Sequence, residues 1–142
     1  MKHKVDEGAS EALVEAVRRS YEAYARGDLE AALAIMDGEI EWHQAQGLPH
    51  GGVYRGLAAV RAAVFEPIDA EWWEDFRADL AELIGCGDHV LVLGRYTARA
   101  KATGTRLDVP FAHVWTFRQG RAVRFRQFTD TRGWVEALGG PD

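Results

Sequence analysis

At 142 residues the chain has the size of one domain, and its 47 % hydrophobic and 27 % charged residues are the proportions of a soluble globular protein. The net charge is −5, with acids and bases interspersed and no basic stripe, which sets nucleic acid aside as a partner. Cys86 is the only cysteine, which excludes an intrachain disulfide and any CxxC metal or redox motif and suits a reducing cytoplasm.

The N-terminal MKHKVDEGAS is charged and has no apolar core, so residues 1–9 read as a flexible tail rather than a signal peptide. No run approaches the ~20 apolar residues of a membrane span. Residues 10–142 form the single expected domain. Ser10 precedes a stretch in which Leu13, Val17, Tyr21 and Tyr24 recur at helical spacing, predicting a helix to about Arg26. Gly27 supplies a left-handed stop, and Asp28 is placed to cap a second helix with a Leu29, Leu33, Met36 stripe. After the Asp37-Gly38 turn, EIEWHQ (39–44) reads as a strand. QGLPHGGVYRG (46–56), rich in glycine, reads as a loop, and LAAVRAAVF (57–65) as a third helix ended by Pro67.

From there the pattern turns to strands: FRADLAELI (76–84), HVLVLGRYTARA (89–100), LDVPFAHVWTF (107–117) and AVRFRQFT (122–129), joined by short turns. A short helix with Trp134 and Leu138 on one side follows, with Asp130 as its expected N-cap. Helices first and hairpins after predict an α+β fold, with helices on one face of a curved antiparallel sheet.

The alternation of the third long strand puts His113 on the same face as Phe111, Trp115 and Phe117. It is either a core histidine or the polar tip of a pocket, and a neutral imidazole offers one donor and one acceptor for proton transfer. Gln127, on the Phe125 face of the last strand, needs a partner if buried, and His113 across the hairpin is the expected one. Trp42 and Gln44 share a face and are favoured as inward, with His43, on the opposite face, as the alternative. Arg95 shares the face of Leu91, Leu93 and Thr97 and would line a pocket only with an acid partner. In AEWWEDF one tryptophan is expected over a pocket entrance, and Trp73 is read as that one, with Tyr54 as a second lid residue. Histidines 3, 43, 50, 89 and 113 show no metal-ligand spacing, so neither a metal nor a cofactor is expected.

YEAYARGDLEAALAIM, IEWH, GGVYRGLAAVRAAV and HVWTFRQGRAVRFRQFTD together resemble the SnoaL-like and ketosteroid-isomerase-like proteins of the nuclear transport factor 2-like superfamily, over residues 10 to 138. The resemblance implies a cone-shaped sheet wrapped on the N-terminal helices (a cystatin-like α+β barrel) around an apolar pocket, and a homodimer through the sheet. Superfamily members include isomerases, polyketide cyclases, epoxide hydrolases and inert binders, so fold alone does not assign chemistry. The isomerases' carboxylate base falls on Gln44, their helix-one tyrosine near Ser20, Tyr21 and Tyr24, and their protonated oxyanion-hole acid on His113. The Asp–Arg–Asp relay of the epoxide hydrolases falls on Thr97, Arg95 and Gln127, and the cyclases' aspartate near Gln127. These catalytic sets are therefore incomplete.

The expectation is a cofactor-free isomerase or cyclase acting on an apolar cyclic substrate by proton transfer. His113 and Gln127 would be catalytic, and Tyr21, Trp42, Gln44, Tyr54, Trp73, Arg95, Trp115 and Phe125 would contact substrate. The alternatives are a non-catalytic binder of a hydrophobic small molecule and an interaction domain with a filled core.

Overall fold

Helix α1 (Glu7–Ala25) buries Val17 and Tyr21 along one stripe, as its apolar spacing predicts. The computed structural model describes residues 7–139, so residues 1–6 of the expected tail lie outside the described residues. α1 begins ahead of Ser10, whose hydroxyl donates to the Gly87 carbonyl (3.2 Å) instead of capping the helix. Gly27, at φ +81°, makes the left-handed turn that ends this segment. Asp28 then caps α2 (Leu29–Leu33), its carboxylate accepting the Ala31 N–H at 3.1 Å. The buried Ser20 hydroxyl donates to the Ala32 carbonyl (2.7 Å) and ties α2 to α1.

Met36, expected on the α2 stripe, instead opens β1 (Met36–Gln44). The segment read wholly as a loop contains β2 (Gly52–Arg55), whose four residues pair antiparallel with Glu41–Gln44. α3 (Leu57–Val60) continues not as a regular helix but as two wider π-helical turns, Arg61–Phe65 and Ile68–Trp72. Pro67 does not end the segment. It sits at φ −67° just ahead of the second turn, where its missing N–H costs little.

Four long strands follow: β3 (Trp73–Cys86), β4 (His89–Ala100), β5 (Arg106–Arg118) and β6 (Arg121–Thr129). β3 starts before Phe76 because a bulge between Glu74 and Arg77, with Asp75 at φ +54°, breaks the period-two pattern there. The sheet order is β2-β1-β6-β5-β4-β3, and its two edges do not meet. β3 to β6 form the expected antiparallel meander, but β1 lies parallel to β6, which makes the sheet mixed. The reason is topological: β1 precedes the helical crossover, so it joins β6 without a hairpin.

Bulges in β3 and irregularities in the β1–β6 and β5–β6 pairings curve the sheet around α1. Gly94 permits the tightest approach, because a Cβ there would fall 2.1 Å from the Asp79 carbonyl oxygen and 2.6 Å from the Phe111 ring. α4 (Thr131–Ala137), capped by Asp130 accepting the Gly133 N–H at 3.2 Å, presses Trp134 onto the inner face beside Trp73 and Tyr96. The described helices include none long and apolar enough to cross a membrane.

Candidate functional site

The inner face of the sheet does not fill its concavity. A cleft of about 80 Å³ remains under α1, α2 and the π-helical turns, far more than the roughly 10–15 Å³ a single water needs. β1 contributes Trp42 and Gln44, β5 His113 and Trp115, β6 Phe125 and Gln127, and β4 Tyr96. Trp42 stacks on Phe125 at 3.7 Å between centroids, and Trp115 meets both edge-on. The half-buried Tyr24, Phe65, Phe76 and Ala78 form the rim. The π-helical turns supply Phe65 and Ile68 to the cleft, and the β3 bulge sets Phe76 beside Tyr96.

His113 is 4 % exposed and stacked on Phe111. Burial pushes its pKa down to about 3, so the imidazole is neutral at pH 7. Tyr21 Oη lies 2.5 Å from Nδ1, and Tyr96 Oη bonds Nε2. Both phenols are raised well above their ordinary range, first by burial. The Trp115 indole N–H donates to Tyr21 Oη (2.9 Å), and the Gln127 amide donates to Tyr96 Oη (2.9 Å).

A proton count follows from these contacts. A neutral imidazole has one N–H and one lone pair. One tyrosine therefore donates to it, while the other accepts its N–H. The accepting tyrosine already receives Trp115 or Gln127, so its own O–H has no acceptor among the described residues. The chain of groups thus keeps one phenolic donor in reserve at the cleft wall.

The expected His113–Gln127 bond is not formed. The two residues are register partners, but Tyr96 stands between them and the Gln127 carbonyl accepts the Ala45 N–H (2.9 Å). Gln44 faces inward as expected, its Oε1 accepting the Trp42 indole N–H (2.8 Å) and its amide lying 3.1 Å from His50 Nε2. Ser20 is used structurally, so Tyr21 is the helix-one tyrosine that reaches the polar end.

Three expected contact residues lie elsewhere. Arg95 is exposed on the outer face, where it pairs with Asp108 (2.8 Å), an acid partner that strand register brings close. Tyr54 donates to the His50 carbonyl (2.7 Å) and does not line the cleft. Trp73, expected over the pocket entrance, does not line the cleft: it opens β3 and is buried against Trp134 of α4. The residue missed from sequence is Tyr96. The alternation of small and apolar Val90, Val92, Gly94, Ala98 and Ala100 against Leu91, Leu93, Arg95, Thr97 and Arg99 marks its face as the inward one.

Among the described residues no carboxylate lines the cleft, and no cluster of three metal-ligating side chains occurs. The site is an aromatic cleft with one hydrogen-bonding end.

An open curved sheet wrapped on α1, with its cleft on the inner face, defines an α+β protein of the nuclear transport factor 2-like class. The sequence pattern described as the SnoaL-like domain matches residues 17–125, and the chain belongs to that family. An NTF2-like protein from Burkholderia thailandensis superposes with a TM-score of 0.84 at 33% identity, covering 89% of this chain and 96% of that chain. An NTF2-like protein of unknown function from Burkholderia pseudomallei gives 0.81 at 30% identity, with coverage of 89% and 96%. TerC, crystallised with polyporic acid, gives 0.80 at 27% identity, with coverage of 90% and 98%. No curated protein matches the chain.

Proposed function

We propose that the protein binds a small apolar ring compound carrying an acceptor oxygen, with the reserve phenol of the Tyr21–His113–Tyr96 chain donating to that oxygen. The proton count carries this reading, and the aromatic walls supply the apolar contact. Proton transfer at His113 is less well supported. Both ring nitrogens are occupied by tyrosines, and a base of pKa about 3 is far from the operating range near pH 7. Gln44 stands where the resemblance requires a carboxylate base, and among the described residues no carboxylate lines the cleft. Binding is therefore favoured over isomerase or cyclase turnover.

Trp42 and Trp115 line the cleft, so their fluorescence reports occupancy. Polyporic acid, on which TerC was crystallised, belongs in the first panel beside the matched pair 1-indanone and indane. The ketone is expected to bind roughly three- to tenfold more tightly than the hydrocarbon, the contribution of one neutral hydrogen bond. That preference should vanish in a Tyr21→Phe, Tyr96→Phe double variant. With deuterium oxide as solvent, exchange at the ketone's α-carbon should stay at the solvent background. Equal binding of ketone and hydrocarbon refutes the phenol's role, and exchange above background restores the enzyme reading.

A further inference from the structure

A second cavity, of about 200 Å³, lies beyond the polar end of the cleft, where β1 and β6 finish side by side. Gln44 and Gln127 line both cavities and form the partition between them. The outer one is walled by Val53 and Phe128, which are 50 % and 54 % exposed and are two of the three large apolar side chains left in solvent among the described residues. Arg126 and His43, register partners on adjacent strands, supply its polar side.

Arg126 is the anomaly. The neighbouring acid, Glu41, is fully engaged: it accepts from His43 (2.5 Å) and Arg55 (2.8 Å) and lies 3.6 Å from Arg124. These contacts, His43 first and then Arg55, hold the Glu41 carboxyl below its ordinary range. Three guanidinium groups on this patch thus face one carboxylate that serves two of them. Arg126 makes no ion pair among the described residues, and its Nε is shielded from solvent with no acceptor. A shielded donor without an acceptor is costly, and guanidinium is shaped to hold a carboxylate through paired N–H bonds.

We infer that this outer cavity is a separate binding site for a small aromatic carboxylate, with the acid group on Arg126 and the ring against Val53 and Phe128. The occupant follows from the wall chemistry: an unpaired cation, Arg126, beside two exposed apolar side chains, with Gln44 and Gln127 standing between them and the cleft's phenols. A neutral ring would leave Arg126 unpaired, and an inorganic anion would leave Val53 and Phe128 in water.

The test titrates the protein with 2-naphthoate and, as its neutral counterpart, 2-naphthalenemethanol, followed by calorimetry at low salt. The acid is expected to bind roughly tenfold more tightly, as a charge-assisted pair should, and to weaken as salt rises. Saturating 1-indanone should leave naphthoate affinity unchanged. Arg126→Met removes the charge and keeps the alkyl stem, and Val53→Glu places an opposing charge at an exposed wall. Either variant should erase the preference for the acid. Should Arg126→Met fail to fold, Val53→Glu carries the comparison. Equal affinity for acid and alcohol, or a preference that survives both variants, overturns the inference while leaving the cleft's ketone binding to stand or fall by its own titration. Light scattering on the same samples gives the remaining outcome: a dimer that both variants dissociate, without naphthoate binding, assigns the cavity to self-association and overturns the small-molecule site.

Discussion

At the scale of single residues, the polar end of the cleft is a chain in which each group fixes the next. Gln127 is its anchor, because its two amide atoms join the Ala45 backbone to Tyr96. Replacing Gln127 by leucine keeps the volume but leaves the Ala45 N–H without its acceptor and Tyr96 without its donor. A loss of roughly 1–3 kcal/mol is expected, read as a lower urea midpoint with an unchanged slope. A variant as stable as the wild type would show that water takes over both bonds. Sequence made much of this end legible: alternation grouped Trp42 with Gln44, His113 with Trp115 and Phe125 with Gln127, the resemblance pointed to a pocket on those faces, and all six line the cleft. It did not reveal who pairs with whom, because Tyr96 comes from a third strand and Tyr21 from a helix. Their meeting at His113 depends on sheet curvature that no local pattern encodes.

At the scale of elements, the misread segments share one cause. Each departs from the regular period on which reading depends. β3 hides its first residues behind a bulge, α3 widens into π-helical turns, and β2 is embedded in a glycine-rich stretch. Two of these irregular pieces supply the rim of the cleft through Phe65 and Phe76, so the least legible local structure lies at the cleft's mouth. Curvature has its own marker in Gly94, which faces inward beneath Phe111. A methyl group at Gly94 meets the Asp79 carbonyl and the Phe111 ring at distances real side chains do not adopt. Backbone must move, since the nearer contact, at 2.1 Å, is the Asp79 carbonyl oxygen of the neighbouring strand. Gly94→Ala is expected to cost about 1–3 kcal/mol by overpacking, seen as a lower melting temperature. A melting temperature equal to the wild type would show that β4 relaxes freely and that curvature is set elsewhere.

At the scale of the whole molecule, the buried imidazole couples folding to pH. An unfolded chain carries His113 at its ordinary pKa near 6.5, whereas the folded protein holds it down to about 3 through burial. As pH falls below about 6.5 the unfolded state takes up a proton that the folded state refuses, so the equilibrium shifts toward unfolding. This contribution is fully present above the unfolded pKa and is lost progressively as pH falls toward the folded one. Between pH 7 and pH 5 linkage puts the loss at about 2 kcal/mol. His50, half-buried and also shifted downward by burial, acts in the same direction, so the comparison must isolate one group. Urea unfolding of the wild type and of His113→Gln at both pH values does so, because every other titrating group remains in both proteins. The variant is less stable at pH 7, but it should lose about 2 kcal/mol less than the wild type on going to pH 5. Equal losses would mean that His113 takes up its proton in the folded state. The charged ring would then donate through both nitrogens to Tyr21 and Tyr96 and free both phenolic O–H groups at pH 5, so the count of a single reserve donor would hold only where the ring is neutral.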